Sequence, residues 1–188
     1  MKMPIVAAFV AILAAGCSAT TGAKPEAQPA VRPATEHVSS PFVSKNAATV
    51  NAVVTGTDLN QVHNEAYKAF VAALESRMKQ ENVRFSNFAV VVQESSSSGA
   101  RTYSVGYSVK AEPAGAKPPH RVADVRSTVW RETGKASAEA KKRNAKIVAE
   151  WEPKMRKAYH VVGKETATYG NESLFHAGTI VYATGSKK

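Results

Sequence analysis

The side chains with chemistry to offer in this 188-residue chain are five histidines, one cysteine and a scatter of serines and carboxylates. The histidines are His37, His63, His120, His160 and His176. None belongs to a His-Glu-x-x-His pattern and no two stand four apart, so a zinc site would need three of them to converge from separate elements. His63 falls on the polar side of a predicted helix, near Glu65 and Glu75 in sequence, where a surface histidine is expected. Ser95-Ser96-Ser97-Ser98 lacks the Gly-x-Ser-x-Gly pattern and the strand–turn–helix setting of a nucleophile elbow. Gly134-Lys135-Ala136-Ser137 and Gly163-Lys164-Glu165-Thr166 lack the upstream glycine and the Gly-Lys-Ser/Thr of a phosphate loop. No pair of carboxylates is placed for acid–base work. These residues predict a non-catalytic protein with no cofactor and no metal.

Charge is the concentrated feature. The formal net charge is +10. Between Arg121 and Lys164 there are twelve basic and five acidic residues, which is most of that excess in one quarter of the chain. The candidate patch for an anionic partner is Lys141, Lys142, Arg143, Lys146, Lys154, Arg156 and Lys157. Trp130, Trp151 and Tyr159 supply flat apolar surfaces nearby. A cationic helix with aromatics suits an anionic membrane or a nucleic acid. A positive field raises encounter rates with any polyanion and specifies none.

The N-terminus carries one positive charge, an apolar run from Met3 to Leu13, and small residues ending at Cys17. That run is too short to cross about 30 Å of hydrocarbon, which takes about 20 helical residues. Its length and flanks fit a secretory signal over residues 1–16. Ala14-Ala15-Gly16-Cys17 resembles a bacterial lipobox, with Ala14 where leucine is commoner. The resemblance implies that Cys17 is acylated and becomes the first residue of a lipoprotein. Ser18 lacks the aspartate that marks inner-membrane retention, so the resemblance implies the outer membrane, with the domain facing the periplasm. As the only cysteine, an acylated Cys17 leaves no thiol for a disulfide or a nucleophile.

These features must be positioned by the elements that follow. Residues 17–45 are Ala-, Thr-, Ser- and Pro-rich, with too few large apolar side chains to offset ordering entropy, and read as a disordered tether. A single domain is expected over 46–188. Thr49–Val54 reads as a strand. Asp58 with Gln61 makes a capping box for an amphipathic helix to about Gln80, through Leu59, Val62, Ala66, Phe70, Ala73 and Leu74. Phe85–Glu94 alternates poorly and reads as a strand buried on both faces. Arg101–Ala111 alternates cleanly, with Tyr103, Val105, Tyr107, Val109 and Ala111 on one face, and pairs with it through the serine turn. Arg121–Glu132 reads as a third long strand, with helix the alternative. Ser137–Trp151 reads as a helix that Pro153 stops, or follows with a short second helix to about Tyr159. A turn at Tyr169–Glu172 leads to a closing strand, Ser173–Thr184.

The expected fold class is α+β, an antiparallel sheet of about four to five strands with one long helix and a second basic helix packed on it. The order of a long helix followed by meandering strands resembles a cystatin-type arrangement. Ser97-Ser98-Gly99-Ala100-Arg101-Thr102-Tyr103 is similar to a loop of the membrane-bound lysozyme inhibitors, small barrels whose lack of a long helix conflicts with the two helices here. The function expected is that of a lipid-anchored cell-envelope protein whose domain binds an anionic envelope polymer or a partner protein. A DNA-binding accessory of a transfer or uptake apparatus and a periplasmic hydrolase are the alternatives.

Overall fold

Asp58 opens the first helix as its sequence predicts: its side chain accepts from the Gln61 backbone N–H at 2.7 Å. The computed structural model describes residues 38–43, 48–131, 136–170 and 173–187. Residues 1–37, and with them the expected signal, Cys17 and most of the expected tether, lie outside the described residues. The elements are β1 (Phe42–Val43), β2 (Thr49–Gly56), α1 (Leu59–Gln80), β3 (Val83–Ser97), β4 (Ala100–Pro113), β5 (Val122–Arg131), α2 (Ala136–Ala158), β6 (Tyr159–Gly170) and β7 (Leu174–Ser186).

The class is α+β, but seven strands form two antiparallel sheets rather than one. One sheet runs β1-β2-β4-β3 and the other β5-β7-β6. In the first, β2 neighbours β4 and not β3, so the strands after α1 do not form the simple meander that the cystatin-like order suggested. Residues before 46 also join the first sheet. Phe42 and Val43 pair with Val53 and Ala52, and Val38 bridges Gly56, because β2 would otherwise leave its edge unpaired.

β3 is not buried on both faces. Val83 and Phe85 point inward, then Phe88, Val90 and Val92 do. The phase slips at a bulge between Ser86 and Ala89, where Asn87 takes a φ of 57°. That slip is why the sequence alternates poorly. The Phe88 N–H at the bulge donates to Glu165 Oε2 of β6 at 2.6 Å, which ties the two sheets together. Ser98 and Gly99, at φ 51° and 81°, make the two-residue hairpin turn to β4, whose left-handed backbone matches the strand twist.

The core lies between the sheets. The inner face of β4, namely Tyr103, Val105, Tyr107, Val109 and Ala111, is buried as its alternation predicts. It meets Val62, Ala66, Phe70 and Leu74 of α1 and Leu174, Ile180 and Tyr182 of β7. Each fully buried large apolar side chain contributes about 1.5–3 kcal/mol relative to exposure. α1 also lies against β5, an outer strand of its sheet, where Tyr67 Oη donates to the Val125 carbonyl at 3.1 Å. α2 covers the opposite face of the second sheet, burying Trp151 and Met155 against Val181. β7 is therefore buried on both faces.

Pro153 does not stop α2, which is continuous to Ala158. Its ring removes the N–H that would reach Ala149, and both residues are exposed, which leaves that carbonyl open to solvent. α2 runs directly into β6, which replaces the helix-to-turn passage expected there. β6 is concealed in the sequence because three of its half-buried positions are Gly163, Glu165 and Ala167. Among the described residues, no helix is long and apolar enough to cross a membrane.

Candidate functional site

β5 carries both polar features of the molecule, one on each face, because its side chains alternate. Val125, Ser127 and Val129 turn toward α1 and β4. Asp124, Arg126, Thr128 and Trp130 turn toward α2. On the α2 side a groove of about 500 Å³ opens between β5 and the helix. Arg126, Ser127 and Thr128 line one wall; Arg143, Lys146, Ile147, Glu150 and Lys154 line the other, with buried Trp151 between them.

The two arginines are held. The Arg143 guanidinium lies 4.1 Å from the Trp130 ring centroid, and the Arg126 guanidinium 5.7 Å from that of Trp151. Such stacking is worth about 0.5–1 kcal/mol at exposed sites. Carboxylates brace them from outside the groove lining: Asp124 Oδ2 accepts from Trp151 Nε1 at 2.8 Å and from Arg126 at 3.4 Å, and Glu139 accepts from Arg143 Nε at 3.3 Å. Lys146 reaches Glu150 only at 4.0 Å, and both are largely exposed, which makes that pair energetically slight. Lys154 makes no ion pair among the described residues. The aromatics therefore fix the orientation of the arginines, and Trp151 is itself buried.

Of the seven residues of the expected patch, the helix brings Arg143, Lys146 and Lys154 to the groove. At 100° per residue Lys141 and Arg156 fall on the other side. Arg156 there pairs with Glu152 at 2.6 Å, which also holds Lys164 at 2.6 Å. Both cations keep the Glu152 carboxyl below the usual range. Lys142 and Lys157 are exposed and do not line the groove. Sequence reasoning left Arg126 out of the patch. The alternation of β5 was the available signal, since it places Arg126 on one face with Asp124, Thr128 and Trp130.

The other face of β5 holds a polar cluster. Ser127 Oγ is 2.6 Å from His63 Nε2, 3.1 Å from His176 Nε2 and hydrogen-bonded to the Tyr107 hydroxyl. Tyr107 Oη also meets His176 Nε2 at 3.0 Å. His63 is thus a buried side chain and not the surface histidine expected, because α1 is covered on two flanks, by the first sheet and by β5. Burial, and next the positive form of His63, pushes His176 down to about 3; burial also lowers His63, against a hydrogen bond to Asn64. Burial likewise raises the Tyr107 hydroxyl, so at neutral pH all four groups are uncharged. A serine beside a histidine has the outline of a nucleophile and its base. Here the hydroxyl is shared among three partners from α1, β4 and β7. The cluster locks layers together.

Among the described residues, no group of three or more His, Cys, Asp or Glu is placed to hold a metal. No protein-family model, curated protein or solved structure matches this chain.

Proposed function

We propose that this is a lipid-anchored cell-envelope protein whose α+β domain binds an anionic polymer in the groove between β5 and α2. One observation carries the reading: four cations from two elements, Arg126, Arg143, Lys146 and Lys154, converge on one cleft, and two are pre-oriented on tryptophan faces. Pre-orientation lowers the entropy lost on binding, which an ordinary solvated lysine face does not do. Acylation at Cys17, which the lipobox-like Ala-Ala-Gly-Cys supports, would hold the domain within reach of outer-membrane and cell-wall polymers.

The test is affinity for lipopolysaccharide, peptidoglycan and duplex DNA against salt, for the wild type and for Lys146→Glu with Lys154→Glu. Exposed helix positions cost about 0.5 kcal/mol or less, so circular dichroism should be unchanged. Binding should fall steeply as the Debye length shrinks from about 10 Å at 0.1 M salt to about 3 Å at 1 M, and the double variant should lose most of it. Binding that ignores both salt and the substitutions would place the functional surface elsewhere.

A further inference from the structure

The distribution of charge along the groove narrows its ligand. Arg143 and Lys154 stand eleven residues apart on α2, which at 1.5 Å per residue is about 16 Å of helix axis. Lys146 lies between them and Arg126 faces them from β5. A site for a lipid would be an apolar slot with its charge gathered at the mouth. This one spreads four cations along its length, with the Glu150 carboxylate among them, over an apolar floor that includes Ile147 and Trp151. A duplex is too broad to enter a cleft of about 500 Å³ and would touch only the rim lysines. A thin chain with a charge on every repeat matches both features, its anions meeting the cations and its uncharged backbone crossing Ile147.

Resting on the reading of the groove as a polyanion site, we propose that it holds a single extended strand of a linear polyanion lying along α2, and neither a duplex nor an anionic lipid headgroup. Phosphodiester and carboxylate polymers share this chemistry. Arg126 and Arg143 take the anions as forks, and Lys146 and Lys154 take them as point charges.

Both tryptophans of the chain are at the site, Trp151 lining the groove and Trp130 under Arg143, so intrinsic fluorescence reads occupancy directly. The full-length protein in neutral detergent is titrated with mono-, di-, tetra- and hexathymidylate, with galacturonate oligomers of the same lengths, with a duplex of matched charge, and with phosphatidylglycerol added to the micelles. Affinity should climb with oligomer length until the strand spans about 16 Å and then flatten. Duplex and lipid should bind roughly tenfold or more weakly, a difference of about 1.4 kcal/mol. The tighter of the thymidylate and galacturonate series identifies the source. Affinity independent of length, or duplex or lipid binding tighter than either single strand, would overturn the single-strand inference while leaving the groove an anion site. Binding of all probes unchanged in Lys146→Glu with Lys154→Glu, or no probe bound by the wild type, would overturn the reading of the groove itself. Arg126→Gln with Arg143→Gln gives a second groove variant should the lysine pair fail to fold, and it should weaken the strand series most.

Discussion

Acid should unfold this domain through its buried histidines, and His176 is the one to change. Burial holds His176 at about 3 and, with the Arg84 guanidinium nearby, holds His120 at about 4, against 6.5 for an unhindered imidazole. His176 is fully enclosed, with His63 facing it from α1, Tyr107 from β4 and Ser127 from β5. His120 is 2% exposed and stacks on Tyr182 at 4.7 Å, its Nδ1 accepting from the Phe85 N–H. Because the folded pKa values are lowered, the unfolded chain binds the extra protons. Stability is complete above about pH 6.5 and is lost as pH falls toward 4 and then 3. At 1.36 kcal/mol per proton per pH unit, going from pH 7 to pH 5 costs about 2 kcal/mol for each histidine, so about 4 kcal/mol for the two. His63, also lowered, adds to the same loss. That is a large part of the 5–15 kcal/mol typical of a domain. Urea denaturation followed by tryptophan fluorescence at pH 7, 6 and 5 measures it. His176→Gln keeps a polar group beside Ser127 and Tyr107 but cannot titrate. It should be less stable at pH 7, yet lose about 2 kcal/mol less than the wild type between pH 7 and pH 5. Parallel losses in the two proteins would refute the assignment of His176 as a neutral, enclosed imidazole.

Asp58→Ala removes the cap of α1 and should cost about 1 kcal/mol, read as a lower urea midpoint at unchanged slope. Glu165→Ala leaves the Phe88 N–H at the β3 bulge without its acceptor and should cost about 1–3 kcal/mol; amide exchange at Phe88 should accelerate by more than at Val105 in the same sheet. Metabolic labelling with palmitate should mark the wild type and not Cys17→Ser, and equal label in both would sink the lipobox reading.

The local elements were legible in the residues because local rules fix them. The Asp58 cap, the 3.6-residue stripe of α1 and the two-residue period of β4 each depend on neighbours within a few positions; the turn expected over Ser95–Gly99 narrows to Ser98–Gly99, because Ser95, Ser96 and Ser97 pair with β4 and extend β3. β3 and β6 were obscured for a local reason too: a bulge shifts the phase of one, and the other half-buries small or charged residues that carry no hydropathic signal. The division into two sheets was not legible, since pairing β2 with β4 and β5 with β7 depends on contacts between segments distant in sequence. The site followed the same division. Charge concentration in α2 is a property of composition, and it named Arg143, Lys146 and Lys154. Only the packing of α2 across β5 decided that Arg126 joins them, that Arg156 turns away to Glu152, and that Trp130 and Trp151 hold guanidiniums. The packing of α1 against the first sheet and β5 turned His63, polar by its place on the helix, inward to His176, because a helix covered on two flanks has a wider buried arc than its apolar stripe predicts.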